Sequence, residues 1–229
     1  MIELVVLDIA GTTVEEHNAV YEALAGAVRG YGASPTPADI GIWMGADKRE
    51  AIRGLIQLSG LTVPADPVVE EIHDRFRSLL AQAYRDDPPT PLPGVPEALG
   101  LLRAKGVKIA LTTGFDHEVA GALLAMIGWS EGVIDALICV DDVRAGRPAP
   151  YMIFQAMERT GVVRVGNILV AGDTTRDLEA GANAGAGLVV GVGTGAMGLD
   201  ALGQAPHTHL LPSVADLPDL LATSGLLAS

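Results

Sequence analysis

Five short apolar runs constrain the fold of this chain more than any other feature: Leu4–Leu7, Val107–Leu111, Ala136–Val140, Ile168–Ala171 and Leu188–Val192. Around and between the later runs lie stretches with helical spacing, Glu97–Ala104, His117–Ile127, Tyr151–Arg159 and Arg176–Ala184. Runs that are apolar throughout, alternating with helices, predict strands covered on both faces. That is the signature of an α/β fold with a parallel, doubly wound sheet.

The alternation fails once, between about Glu15 and Asp86, where helical periodicity takes over. Within Glu70–Tyr84, the residues Ile72, Phe76, Leu79, Leu80 and Tyr84 share one face, while His73, Asp74, Arg75 and Arg77 fall elsewhere. The proline-rich stretch from Asp86 to Gly94 then leads back as a stiff linker. The expectation is a core of residues 1–14 and 91–229, with an α-helical cap of residues 15–90 inserted after the first strand.

Composition narrows the partners. Fifteen basic residues against 28 acidic ones give a net charge of −13, and aromatic residues make up only 4%. A nucleic-acid surface and an anionic membrane surface are both excluded as expectations. An anionic substrate must instead meet a local positive site. Cys139 is the single cysteine, which rules out a disulfide within the chain, and its apolar setting reads as a buried strand thiol. The N-terminus lacks the basic and apolar regions of a signal peptide, and no stretch is long enough to span a bilayer. A soluble cytoplasmic protein is expected.

The chemistry-bearing residues follow the strands. Asp8 ends the first run and precedes Ile9-Ala10-Gly11-Thr12-Thr13, whose glycine and threonines can turn backbone N–H groups onto an anion. A carboxylate there can attack phosphorus and form an acyl phosphate. Gly172-Asp173-Thr174-Thr175-Arg176-Asp177 brings two more carboxylates after the fourth run. Mg2+ suits such hard oxygens, with Asp8 and Asp173 as direct ligands and Asp177 behind them, acting through a ligand or a bound water. Thr112-Thr113-Gly114 supplies hydroxyls for phosphoryl oxygens, and Arg147 a fixed positive charge that can clamp a phosphate. The plainer alternatives are a strand-ending turn at Asp8 and a helix cap at Asp173.

Taken together and in this order, these four loops resemble the motifs of the haloacid dehalogenase superfamily. The resemblance implies a Rossmann-like core with a mobile cap, and metal ligands at Asp8, the Ala10 carbonyl and Asp173. It also implies phosphoryl contacts from Ala10, Gly11, Thr12, Thr112, Thr113 and Gly114, and a homodimer through the cap. Ala10 stands where phosphatases of the superfamily carry a general acid, so a phosphate ester would lack its proton donor here.

The Ala-Gly-Thr-Thr loop, the cap stretch Trp43-Met44-Gly45-Ala46-Asp47-Lys48 and the segment Asp141–Pro148 resemble the phosphonoacetaldehyde hydrolase (phosphonatase) family. That resemblance implies that Met44 contacts substrate and that Lys48 forms a Schiff base with the substrate aldehyde, so that carbon leaves phosphorus as an enamine. As a free-standing lysine, Lys48 reads instead as a solvated helix-start residue paired with Asp47 or Glu50. The chain departs from the family at Ala51 (a histidine there), Phe115 (a tyrosine), Ile9 (a tryptophan) and near Asn18 (a cysteine). His17 is a candidate replacement proton carrier. The histidines His73, His117, His207 and His209 suggest no metal-ligand constellation. The expected substrate is a small phosphonate, with a phosphate ester (a metabolite phosphatase) as the alternative and a non-catalytic phosphate-binding protein as the reading from another class.

Overall fold

In a computed structural model, which describes residues 1–130 and 132–227, the chain divides into two compact units, Met1–Glu15 with Thr90–Ser229, and Glu16–Pro89. Residues 131, 228 and 229 of the expected core range lie outside the described residues.

The strands are β1 (Leu4–Asp8), β2 (Val14–Glu15), β3 (Thr90–Pro91), β4 (Lys108–Thr112), β5 (Ala136–Ile138), β6 (Ile168–Gly172), β7 (Leu188–Val192) and β8 (His209–Leu211). Among the described residues, six of them form one parallel sheet in the order β5-β4-β1-β6-β7-β8. The chain steps from β1 to β4 and β5 on one side, then crosses to β6, β7 and β8 on the other. Connections from β1 and β6 therefore diverge, and a crevice opens between their carboxyl ends, the usual ligand position in such sheets. Asp8 ends β1 and Asp173 follows β6, so both expected acids stand at that crevice.

The helical unit comprises α1 (Ala19–Tyr31), α2 (Pro37–Ile42), α3 (Lys48–Leu58) and α4 (Asp66–Asp86). Local chemistry sets their ends. Thr36 and Asp39 form a reciprocal capping box for α2, with Pro37 in its first turn, and Gly32 closes α1 in the left-handed conformation. Helices α1 and α3 both pack on α4. The buried stripe of α4 is Val69, Ile72, His73, Phe76, Leu80 and Tyr84, with Leu79 half-buried at its edge. His73 thus belongs to the apolar face instead of the solvated one: it lies four residues after Val69 and three before Phe76, and its ring tilts against Phe76 at 5.8 Å.

In the core, α5 (Val95–Ala104), α6 (His117–Met126), α7 (Tyr151–Thr160) and α8 (Thr175–Ala184) alternate with the strands; α9 (Leu199–Leu202) and α10 (Leu217–Thr223) follow β7 and β8. Leu4, Val6, Ile168 and Val170 pack with Met152, Ile153 and Ala156 of α7 and Ala180 and Ala184 of α8. Val5 and Leu7 alternate to the other face and are equally buried. Burial of both faces is what the unbroken apolar runs encode. Among the described residues, no helix is long and apolar enough to cross a membrane.

Two details differ from expectation. Cys139 is buried but lies just past β5, because the Asp142 carboxylate accepts its N–H (2.8 Å) and the chain turns into a short 3-10 helix, Val140–Asp142. Strand β8 is a three-residue, half-buried edge, too short to register as an apolar run. The stiff linker contains β3, which pairs antiparallel with β2 in the register Val14↔Pro91 and Glu15↔Thr90.

Candidate active site

The Asp8 loop is built by a tight reversal. The amides of Thr12, Thr13 and Val14 all donate to the Ile9 carbonyl, and the Thr13 hydroxyl donates to the carbonyls of Asp8 (3.0 Å) and Ile9 (3.2 Å). Gly11 holds φ 80°, and a Cβ there would sit 2.7 Å from Asp173 Oδ2. Only glycine satisfies both the left-handed backbone and this close approach. The loop thereby presses against the second acidic loop.

Asp8, Asp173 and Asp177 come together, all buried, with one carboxylate oxygen of each within 4.8 Å of the others. Asp173 Oδ1 accepts from the Thr12 hydroxyl (2.8 Å) and Oδ2 from the Ala196 amide (2.9 Å). Asp177 closes the capping box of α8, accepting from the Thr174 amide and hydroxyl. Arg147 spans the cluster: it pairs with Asp8 Oδ1 at 2.7 Å and donates to Asp177 Oδ1. Its Nε–H is buried without a hydrogen-bond partner among the described residues. Thr112 is buried beside Asp8 as its register partner in β4. Thr113 is tied down, its amide donating to Ile138 and its hydroxyl accepting from the Phe115 amide.

The electrostatics are those of a cation site. Burial, then the negative charge of Asp8, push the Asp173 carboxyl up to about 6 against the hydrogen bonds from Ala196 and Thr12. Three hard carboxylates with one arginine as counter-charge leave excess negative charge that a small divalent cation can neutralise. The donor set of Asp8, Asp173 and Asp177 therefore fits a metal ion. One consequence is measurable. Below pH 6 the cation must displace a proton from Asp173, so Mg2+ affinity should fall about tenfold per pH unit there and level off above. Calorimetric titrations in buffers of different ionisation enthalpy check this; an affinity flat from pH 5 to 7 would contradict it.

One part of the site carries little sequence signal of its own. The loop after β7 supplies the Ala196 amide to Asp173 and the Thr194 hydroxyl to the Gly11 carbonyl (2.7 Å), and a side chain at Gly195 would overlap Asp173. Its only mark is the glycine-rich end of a strand, Gly191-Val192-Gly193-Thr194-Gly195, at the ligand-binding edge.

Met44 and Lys48 belong to the helical unit. Lys48 is the first residue of α3 and is buried, with its Nζ donating to the Ala46 carbonyl (3.0 Å); the Asp47 carboxylate caps the helix by accepting the Glu50 amide. Met44 lines a cavity of about 590 Å³ with Asn18, Tyr21, Arg29 and Ile40. Among the family departures, Ala51, Phe115 and Ile9 are all buried. His17 is exposed, in a left-handed backbone conformation, 3.8 Å from Asp87.

Residues 2–185 match the family model described as haloacid dehalogenase-like hydrolase. A phosphonoacetaldehyde hydrolase from Bacillus cereus (strain AH187) is 30% identical over 194 residues, 80% of this chain and 73% of that protein. Among solved structures, a phosphonoacetaldehyde hydrolase-like protein from Oleispira antarctica superposes with a TM-score of 0.85 at 23% identity, covering 97% of this chain and 92% of that one. β-Phosphoglucomutase from Clostridium difficile gives a TM-score of 0.85 at 16% identity, over 99% and 97% of the two chains. These last two likenesses are of fold.

Proposed function

The chain belongs to the haloacid dehalogenase-like hydrolases, and from that premise we propose that it cleaves the carbon–phosphorus bond of phosphonoacetaldehyde or a close relative, with Asp8 as nucleophile, Lys48 as imine-forming amine and the helical unit as a cap. The observation that carries this reading is Lys48: it is buried at the start of α3 and hydrogen-bonded to a backbone carbonyl, whereas a lysine serving only solubility stays in water. A buried amine is shielded from competing water, and imine formation requires its neutral form. Ala10 supports it from the other side, since a methyl group cannot protonate an ester oxygen.

In the proposed reaction, the Lys48 amine condenses with the aldehyde and releases water. An Asp8 oxygen then attacks phosphorus; the P–C bond breaks and its electron pair enters the iminium, giving an enamine. Protonation of the enamine carbon and hydrolysis release acetaldehyde and regenerate Lys48. Water cleaves the Asp8 acyl phosphate to phosphate. Arg147, with its Nε–H and Thr112 beside Asp8, is disposed to hold phosphoryl oxygens. Asp8, Asp173 and the Ala10 carbonyl would hold Mg2+, with Asp177 adjacent, and the bound ion would neutralise charge between phosphoryl group and nucleophile.

Membership of the hydrolase family is equally compatible with a second reading, hydrolysis of a small phosphate ester. Lys48→Ala separates the two. Phosphate release from phosphonoacetaldehyde should fall roughly 10³-fold or more, with no borohydride-trapped adduct at residue 48. Undiminished release in that variant would exclude the imine route, whereas turnover of small phosphate monoesters by both proteins, with none of phosphonoacetaldehyde, would favour the ester reading.

A further inference from the structure

A second cluster of ligand-type side chains lies outside the acidic site. His117 at the start of α6, Cys139 just past β5 and Asp142 in the short 3-10 helix each present one donor atom, all within 4.8 Å of one another. His117 Nε2 lies 3.0 Å from Asp142 Oδ2, which also accepts the Cys139 amide. We propose that these three residues form a binding site for a thiophilic divalent cation of the Zn2+ class, distinct from the three-carboxylate site.

The donor set selects that class. One sulfur, one imidazole and one carboxylate suit Zn2+ or Co2+ and are foreign to Mg2+, which takes oxygens. A tetrahedral zinc ion holds its ligands about 3.4–3.8 Å apart, given bonds of about 2.0–2.3 Å, so contraction of a few tenths to one ångström completes the site. Arg159 pairs with Asp142 Oδ1, and Oδ2 is the oxygen turned to His117. Half-exposed His117 gives an entry path, while Cys139 stays buried.

The local field also points to a cation. The carboxylates of Asp142, Asp141 and Asp116 set negative charge around Cys139, with Arg159 opposing it. A bound divalent ion reverses that field and holds the sulfur as thiolate. Asp141 accepts the His117 amide and so helps to fix the start of α6, and water would complete the coordination. The site would tie α6 to the segment 139–147, which ends in Arg147.

The test is Co2+ titration of the full chain in saturating Mg2+. The native protein should develop near-ultraviolet thiolate-to-cobalt absorption saturating at one equivalent, and Zn2+ should displace it. Cys139→Ser should abolish the band and weaken Zn2+ binding about a hundredfold, leaving Mg2+-dependent phosphate release unchanged. No band in the native protein, or a band that survives Cys139→Ser, overturns the proposal. Should Cys139→Ser fail to fold, His117→Ala reads the same question at a half-exposed position: unchanged Zn2+ affinity refutes the site, and a loss of tenfold or more, roughly, upholds it.

Discussion

Replacing Asp8 by asparagine should abolish phosphate release, lowering kcat on the order of 10⁴–10⁶-fold while the fold persists. The amide is nearly isosteric, so the loop hydrogen bonds from Thr13 to the Asp8 and Ile9 carbonyls are untouched. What disappears is the anionic oxygen proposed to attack phosphorus, and with it the charge that Arg147 meets at 2.7 Å. Rapid quenching of the native protein with substrate should give an acid-stable phosphoprotein whose phosphate is released by hydroxylamine, and Asp8→Asn should give none. A variant that retains turnover within tenfold, roughly, would remove Asp8 from the nucleophile's place.

The second large effect is on stability. Arg147→Met should destabilise the protein by about 3–5 kcal/mol, because the guanidinium is buried between Asp8 and Asp177 and its loss strands both carboxylates. For a chain of this size that corresponds to a fall in Tm of roughly 6–20 °C. Adding Asp177→Asn should return part of the loss, since one stranded charge is then removed; additive losses would show that Arg147 and Asp177 do not act as a unit. Excess Mg2+ should raise the Tm of the single variant more than that of the native protein, by supplying the missing positive charge.

Both predictions concern residues legible in the chain before any coordinates. Asp8, Arg147, Asp173 and Asp177 each follow an apolar run, and a doubly wound sheet delivers such positions to one edge. The strand runs themselves were legible because both faces are buried, leaving nothing polar to interrupt them. Features that depend on the path between elements were not. Ala196 acts through its amide, which no side chain advertises. His73 is polar by type yet sits at helical spacing from Val69 and Phe76, and the stripe is wide enough to include it. His117, Cys139 and Asp142 are brought together by a helix start, a strand end and a 3-10 turn, a grouping that no fixed spacing encodes. Strand β8 owes its place to pairing with Val190–Val192, not to its own composition.

The antiparallel pairing of β2 with β3 has a consequence for how this architecture can change. Exit and re-entry points of the inserted helices are hydrogen-bonded neighbours, so residues 16–89 occupy the position of a hairpin loop. The entropic cost of closing a loop grows only with the logarithm of its length, so the sheet is nearly indifferent to how many residues are spliced there. Shortening, lengthening or exchanging the insert should leave the strand pairings of the parallel sheet in register, which would make the two units separable objects for recombination.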